Sequence, residues 1–384
     1  MNLEGRLTIG LQKNGEVGIH SSRPLGIVGL FVGKTPSQLL DLLPLIFPLC
    51  GTAQSYCGLQ ACRQALREPA DPPTAAVQRR LVDLETVKEH ALRMLLDWPE
   101  FMGEPPDAAA ARTLAAALPR WRAAWFGPGP AFTLDSRATA APDAARATLA
   151  MLEEILSRQL FGATAEEWLA GVAGAADLRR WAETGATIAA RLIRDVLERD
   201  WPAAAEDDLP HLPQLGDADL ARRLESPDAG AFCASPDWGG HPRETTALSR
   251  QRDTPLVTDL ERHFGKGLLT RLAARLVELA TLTLRLRASL TQPPPAPEPP
   301  CPPPALAIGQ VEAARGRLIH ALALHQGRIA RYHIVAPTEW NFHPRGPAAR
   351  ALAALPPGAE RRRQAELLIN AIDPCVAYEL RIDG

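Results

Sequence analysis

The pattern of apolar and polar positions divides the chain into a short β-rich start, a long helical middle and a β-rich end. At the start, RLTIGLQ and EVGIHS flank Lys13-Asn14-Gly15. Asn-Gly is a strong turn signal because both residues tolerate positive φ. The sequence therefore predicts an N-terminal β-hairpin.

Helical spacing dominates from about residue 74 to residue 290, where alanine, leucine and arginine are abundant. Apolar residues between Val77 and Leu95 recur at three- and four-residue intervals. Two capping boxes predict helix starts, one at Thr35 with Gln38 and one at Thr164 with Glu167. We expect a long helical bundle to form the core.

Prolines and glycines predict where this helical pattern stops. Pro44 and Pro48 are expected to break the first helix and to deliver the chain to Cys50 in an irregular turn. The stretch 202–255 is rich in proline, glycine and aspartate and is expected to be loop.

A proline-rich segment, TQPPPAPEPPCPPP (291–304), separates this helical part from the end of the chain. After it, GRLIHALAL and GRIARYHIVA flank His325-Gln326 and predict a second hairpin. A helix then leads to the Asp-Pro that precedes Cys375. We divide the chain into a hairpin and helical core (1–290), a linker (291–304) and a C-terminal hairpin and helix (305–384) that packs onto the same core.

Composition narrows the class of protein. The 384 residues are 46% hydrophobic and 22% charged, which suits a globular chain with a large core. A net charge of −2 gives no general attraction to nucleic acid. No apolar run approaches the roughly 20 residues that span a bilayer, and the start has no signal-peptide pattern. We expect a cytoplasmic protein with neither nucleic-acid binding nor membrane insertion.

Six cysteines are the clearest candidate chemistry, and in a long cytosolic chain we expect them to stay reduced. Cys50, Cys57 and Cys62 form a cluster without CxxC spacing, so small buried core residues remain an alternative to metal ligands. Cys50 and Cys375 are each presented from an irregular turn beside a helix. Two such thiolates could hold a soft or borderline metal fragment, but spacing alone leaves open whether they meet.

Four stretches resemble, in order, the large subunit of nickel–iron hydrogenases. LEGR (3–6) is similar to that family's I-E-G-H, and LCGTAQSYCGLQA (49–61) to I-C-G-V-C-x-x-x-H-x-x-A. EAARGRLIH (312–320) with IVAPTEWNFHPRG (334–346) resembles E-A-P-R-G-x-L-x-H and V-P-T-T-W-N-x-x-P-R, and DPCVAY (373–378) resembles D-P-C-x-x-C. The middle third of the chain is not covered. The resemblance implies an α+β, mainly α fold, a hydrogenase large-subunit-like helical core with small N- and C-terminal β-hairpins.

The departures from the family's ligand set carry most of the functional information. The resemblance places the terminal nickel ligands at Cys50 and Cys375, but the two metal-bridging cysteines are replaced by Ala53 and Tyr378. Cys57 stands where the family has a histidine. Half of the thiolates of a nickel–iron centre are therefore missing, and we expect no stable nickel and no catalysis.

The resemblance also implies partners for the cyanide ligands that the family's iron carries. It places Arg315 and Thr338 at the positions that donate hydrogen bonds to cyanide, beside Pro337, although a surface arginine at the start of a hairpin is the alternative for Arg315. Glu4 matches the family's proton-relay position, where without catalysis it would only cap or pair with a base. Cys57 is an additional candidate as an accessory ligand.

The reduced ligand set resembles that of the HupK/HoxV-type hydrogenase expression and formation proteins. This implies a non-catalytic scaffold or chaperone in hydrogenase maturation, which holds an Fe(CN)2CO unit transiently and transfers it to the apo large subunit. The expected partners are hydrogenase maturation proteins and that apo subunit. A non-metal interaction module that binds maturation chaperones, or a metalloenzyme with a reduced ligand set, are the alternatives.

Overall fold

The computed structural model describes residues 5–139, 142–291 and 305–383. Its strands are β1 (Arg6–Leu11), β2 (Val17–Ser21), β3 (Ala307–Ala313), β4 (Gly316–His325), β5 (Arg328–Val335) and β6 (Ala377–Ile382). Its helices are α1 (Pro36–Ile46), α2 (Gly51–Leu66), α3 (Pro72–Phe101), α4 (Ala108–Ala115), α5 (Ala117–Phe126), α6 (Pro142–Leu156), α7 (Ala165–Gly171), α8 (Ala175–Thr184), α9 (Ile188–Glu198), α10 (Asp217–Glu225), α11 (Ala229–Ala234), α12 (Ala247–Gln251), α13 (Pro255–Phe264), α14 (Leu268–Ser289), α15 (Pro337–Asn341), α16 (Pro347–Ala353) and α17 (Arg361–Ile372). The predicted α+β, mainly helical class is confirmed.

The N-terminal hairpin forms as predicted and takes in the end of the chain as a third strand. β1 pairs antiparallel with β2, and Gly15 in the connecting turn has a φ of 86°. β6 then pairs with β1 in parallel, with Ile9 opposite Leu380. The sequence did not predict β6. Because β6 begins two residues after Cys375, this pairing fixes the turn that presents the thiol.

The second hairpin also forms, with its turn one residue later than predicted. β4 and β5 are joined through Gln326 and Gly327, both with positive φ, and β3 adds an unpredicted antiparallel strand on the other side of β4. Gly309 of β3 lies so close to α2 that a Cβ at this position would be 2.0 Å from the backbone oxygen of Cys57. The sheet therefore packs directly on the helix that follows Cys50.

The main hydrophobic core lies among the long helices and reaches both ends of the chain. It joins residues of α3 and α14, such as Leu84 and Leu276, to Ile9 of β1 and Leu368 of α17. A second core cluster joins α1 to the C-terminal sheet through Leu43 and Leu322. The division at 291–304 stays a prediction, since residues 292–304 lie outside the described part of the chain.

Two expectations about irregular segments were wrong. α1 continues through Pro44, because its apolar face is buried in the core and tertiary packing provides most of a helix's stability. The interruption comes only at Phe47 and Pro48. The supposed loop 202–255 contains α10, α11 and α12, and α10 buries Leu220 and Leu224 against the C-terminal sheet.

Both predicted capping boxes are present. The Thr35 hydroxyl accepts the N–H of Gln38, whose side chain accepts the N–H of Thr35, and Thr164 and Glu167 make the same reciprocal pair. Across the described residues, no single helix has the length and apolar character to cross a membrane, although α1 and the helical stretch 48–66, bent by 103°, meet those criteria as a pair.

Candidate metal-fragment site

Cys50 is the residue that caps the N-terminus of α2. A short 3-10 turn, Pro48–Cys50, leads into the helix. Glu85 of α3 satisfies the first helical N–H groups, since its carboxylate accepts hydrogen bonds from Thr52 N (2.9 Å) and Ala53 N (3.0 Å). The position of the Cys50 thiol is thus fixed by a helix start that a second helix anchors.

Cys375 lies just after α17, in a turn shaped by its neighbours. Asp373 ends the helix in the left-handed conformation, with a φ of 62°, and its N–H donates to Ile369 O. The Thr338 hydroxyl donates to Cys375 Sγ at 2.9 Å, and the Cys375 N–H is 3.3 Å from the same hydroxyl oxygen. Thr338 follows Pro337 at the start of α15, so this short helix holds the thiol from the other side.

The two thiols, 325 positions apart in the chain (375 − 50), belong to one electrostatic environment. Burial, together with the charges of Cys375 and Glu85, raises the pKa of Cys50 to about 12 against the opposing effect of Arg315 and Arg23. Charge effects on a pKa act between near neighbours. The fold therefore places Cys50 and Cys375 within range of each other's charge, which the sequence alone could not establish.

Arg315 is a buried cation beside this pair, only 4% exposed. Its Nη2 donates to Glu89 Oε2 at 2.9 Å, and its Nε lies 3.5 Å from Asp373 Oδ2. Burial alone disfavours its charged form, but Asp373, Glu89 and both cysteines outweigh that effect and raise the pKa of Arg315. Within the described residues, Nη1 has no hydrogen-bond partner. A buried guanidinium with a free N–H is suited to a bound anion.

Arg23 is a second cation at the site, which sequence reasoning missed. Its Nη1 lies 3.3 Å from Glu339 Oε1 and 3.9 Å from Cys375 Sγ, and its guanidinium lies over the Phe47 ring. Burial opposes its charge, but Cys375, Glu339 and Cys50 raise the pKa of Arg23 above its ordinary value. No motif marked this residue, because it follows the first hairpin in an irregular segment and meets the site only in the tertiary fold.

Cys57 is not brought to the pair. Its buried thiol lies 3.1 Å from Gly309 O and 3.5 Å from Leu318 O, on the side of α2 that faces the C-terminal sheet. Its role as an accessory ligand stays a prediction.

Ala53 is fully buried next to the Glu85 carboxylate, whereas Tyr378 is 36% exposed on β6. Glu4 lies outside the described residues.

The ligands that this site offers a metal are few. Within the described ranges, no three or more histidine, cysteine, aspartate and glutamate side chains converge as a metal-holding group. The five described cysteines are free thiols. Two sulfurs beside one buried and one partly buried guanidinium group, those of Arg315 and Arg23, can bind a fragment that brings further ligands of its own, especially anionic ones.

Comparison with solved structures shows the fold. A nickel–iron–selenium hydrogenase from Desulfomicrobium baculatum superimposes with a TM-score of 0.64, covering 94% of this chain and 93% of that chain at 16% identity. The corresponding enzyme from Desulfovibrio vulgaris Hildenborough gives 0.63 at 14% identity, with 94% and 93% covered. These similarities establish a hydrogenase large-subunit-like architecture and no more.

Sequence comparison identifies the family. The nickel-dependent hydrogenase family model matches residues 245–379. The hydrogenase expression/formation protein HupK of Rhizobium leguminosarum bv. viciae is 32% identical over 373 residues, covering 95% of this chain and 92% of the relative. HoxV of Cupriavidus necator, also named a hydrogenase expression/formation protein, is 35% identical over 396 residues, covering 98% and 95%. At these identities and coverages, the chain belongs to the HupK/HoxV family of hydrogenase expression/formation proteins.

Proposed function

We propose that this protein is a non-catalytic scaffold in nickel–iron hydrogenase maturation. In this proposal Cys50 and Cys375 transiently hold an Fe(CN)2CO unit, which then passes to the apo large subunit. The names of the relatives support a role in hydrogenase formation. The observation that carries the finer proposal is the pair of thiols beside buried Arg315, whose Nη1 has no hydrogen-bond partner among the residues that the structure describes.

The charges around the thiols suit this cargo. Ferrous iron with two cyanides and two thiolates carries a net negative charge, so its burial requires nearby cations. Arg23 and Arg315 supply them, and the pKa of each, lowered by burial alone, is raised by carboxylates and by both sulfurs. The free guanidinium N–H of Arg315 is a donor for a cyanide nitrogen. The Thr338 hydroxyl, which contacts Cys375 in this structure, is a second.

Transient binding fits the acid–base properties of the ligands. A metal binds the thiolate, so loading displaces a proton from each thiol. Burial and neighbouring negative charge raise the pKa of Cys50 to about 12, which makes that proton hard to displace at neutral pH. Protons therefore compete with the metal fragment, and the fragment is easier to release than from a site of preformed thiolates.

Absence of catalysis is part of the proposal. The positions that the hydrogenase resemblance assigns to bridging cysteines hold Ala53 and Tyr378. An alanine methyl cannot bridge metals, and a phenol is a poor ligand for soft metals. The site thus lacks the sulfurs to complete a nickel–iron centre, and we propose that nickel is not retained.

A second candidate is an interaction module that binds maturation proteins without holding metal. Four large apolar side chains near Cys50 in sequence are solvent-exposed, namely Leu30, Val32, Leu45 and Leu49. Exposed apolar residues concentrated in one segment favour protein binding. We place either function in the cytoplasm, with maturation proteins and the apo large subunit as partners.

Infrared spectroscopy separates these candidates. Protein purified anaerobically from cells that contain the maturation machinery should show cyanide and carbon monoxide bands, and Cys375→Ala should abolish them. Cys62→Ala is the matched control, because Cys62 is a buried thiol twelve residues further along α2 than Cys50, in the core cluster that joins α1 to the C-terminal sheet, and it should keep the bands. Parent protein without bands and with substoichiometric iron, together with normal hydrogenase maturation in the Cys50→Ala strain, would replace the carrier with the interaction module.

A further inference from the structure

A line of buried polar side chains runs from the C-terminal sheet to Cys50. The Tyr332 hydroxyl of β5 lies 2.6 Å from His320 Nδ1 of β4. His320 Nε2 lies 2.8 Å from Gln54 Oε1, and Gln54 Nε2 lies 3.7 Å from Cys50 Sγ. Gln54 follows Cys50 by four residues, so α2 places both on one face.

Every hydrogen bond in this line donates toward Cys50. The Gln54 amide oxygen can only accept, so His320 Nε2 carries the proton and Nδ1 accepts from the Tyr332 hydroxyl. Burial lowers the pKa of His320 to about 3, which keeps the ring neutral at physiological pH. The Gln54 amide then directs an N–H at the sulfur, a contact that strengthens when the sulfur becomes a metal-bound thiolate.

The surroundings leave these side chains little freedom. Gln54, His320 and Tyr332 are at most 3% exposed, and the Tyr332 ring packs edge-on against Phe31 at 5.0 Å. Gly58 provides the space, since a Cβ there would be 2.5 Å from a Leu43 methyl and 3.4 Å from His320 Nδ1. The fold thus makes room for a polar line in an otherwise apolar region, which is costly unless each member is paired.

We propose that Gln54, His320 and Tyr332 are positioning residues that orient the Cys50 sulfur and stabilise it as a metal ligand. Cys375 receives its hydrogen bond from Thr338, so each sulfur has its own donor from a different part of the fold. This inference rests on the proposed ligand role of Cys50. It goes beyond that role by assigning the chemistry that prepares the thiol.

Cd²⁺ binding to the full-length reduced protein tests the line without the iron cargo, because Cd²⁺ prefers thiolates and gives a sulfur-to-metal charge-transfer band. Tyr332→Phe keeps the ring and removes the terminal donor, and Gln54→Leu removes the donor that faces the sulfur. We expect Gln54→Leu to weaken Cd²⁺ binding about five- to tenfold, as the loss of one hydrogen bond predicts, and Tyr332→Phe by a smaller factor. The charge-transfer band should change in both.

Controls separate positioning from general damage. Tyr56 lies on α2 and its ring packs against Phe132, outside the polar line. Tyr56→Phe removes its hydroxyl, and this variant should bind Cd²⁺ like the parent. In a Cys50→Ala background, Gln54→Leu should have no further effect on residual binding. If Gln54→Leu and Tyr332→Phe leave the Cd²⁺ affinity and the charge-transfer band unchanged, the proposal that these side chains orient the Cys50 sulfur is overturned. Parent-like binding by Cys50→Ala would instead overturn the ligand role of Cys50, and the positioning line with it.

Discussion

Arg315 is the residue at which the requirements of folding and of binding meet. Two of its nitrogens face the buried carboxylates of Glu89 and Asp373, so it helps to balance their charges. Lys88 is a further cation at Glu89, and Arg93 is one at Asp373. The Nη1 group has no protein partner in the described part of the chain. One side chain therefore stabilises the fold and, in the proposed function, also offers an N–H donor to an anionic ligand.

Substitution of Arg315 should separate these two contributions. Arg315→Ala removes one cation from each carboxylate, while Lys88 still pairs with Glu89 and Arg93 with Asp373. We therefore expect a loss of about 1.5–3 kcal/mol in the free energy of unfolding, the contribution of a hydrogen bond between charged groups. Arg315→Lys keeps the charge, so its free energy of unfolding should fall less. It should still lose the cyanide infrared bands, because a lysine lacks the planar set of N–H donors of a guanidinium group. Urea denaturation and infrared spectroscopy measure the two effects.

The control for these variants is an arginine on the surface of the same sheet. Arg331→Ala alters an exposed side chain of β5 and should change the free energy of unfolding by no more than about 0.5 kcal/mol. A stability loss as small as this in Arg315→Ala would contradict the assignment of Arg315 as a cation that helps to balance Glu89 and Asp373.

At the scale of elements, the start of α2 links helix capping to the site. Glu85 lies on α3, yet it accepts the N–H groups of Thr52 and Ala53, the first residues after Gly51. The orientation of Cys50 therefore depends on how α2 docks against α3. This cap has no signature in the local sequence, because the acceptor lies more than 30 residues after the donors.

Glu85→Ala should weaken both the helix start and the site. Hydrogen bonds to a charged group each contribute about 1.5–3 kcal/mol, so we expect at least about 2 kcal/mol of lost stability together with weaker Cd²⁺ binding at Cys50. Thr164→Ala removes a capping box far from the cysteines and should cost about 1 kcal/mol with unchanged Cd²⁺ binding. Equal Cd²⁺ affinities in Glu85→Ala and the parent would show that the Glu85 cap does not determine metal binding at Cys50.

Elements with local signals were predictable and those that depend on distant partners were not. The Asn14-Gly15 hairpin and the Thr35 and Thr164 caps carry their cause in adjacent residues, and all three form. β6 is stabilised by parallel pairing with β1 at the other end of the chain, which no periodicity reveals. The sequence did not predict Arg23 as a site residue for the same reason, because its contact with Cys375 forms only in the tertiary structure.

At the scale of the whole molecule, the site lies where the two ends of the chain meet the helical core. β1 and β6 come from opposite termini and form adjacent strands, while α17 packs into the same core as α3 and α14. Cys50 and Cys375 are thereby held by separate elements, each with contacts to the core. In the proposed function, a site built in this way is preorganised before the metal fragment binds, which lowers the entropic cost of loading.

The buried histidines make the stability of the whole chain depend on pH. His320 has a pKa of about 3 because of burial, whereas an unfolded histidine titrates near 6.5. The unfolded state therefore takes up a proton below about pH 6.5 that the folded state does not, and stability falls as pH falls. His211, whose pKa burial lowers to about 4, acts in the same direction.

Comparison of His320→Gln with the parent isolates this effect. Between pH 7 and pH 5, His320 should lower the free energy of unfolding of the parent by about 2 kcal/mol, at about 1.4 kcal/mol per pH unit below 6.5. The glutamine variant should not show this part of the decrease. Burial raises the pKa of Glu85 and of Glu339, and a raised carboxyl pKa increases stability as the pH falls. These groups act alike in both proteins, so the prediction concerns the difference in pH dependence between His320→Gln and the parent. Urea denaturation at both pH values measures it, with exposed His325→Gln as the control. A His320→Gln slope equal to that of the parent would mean that His320 is protonated in the folded protein, which is incompatible with its accepting the Tyr332 hydroxyl.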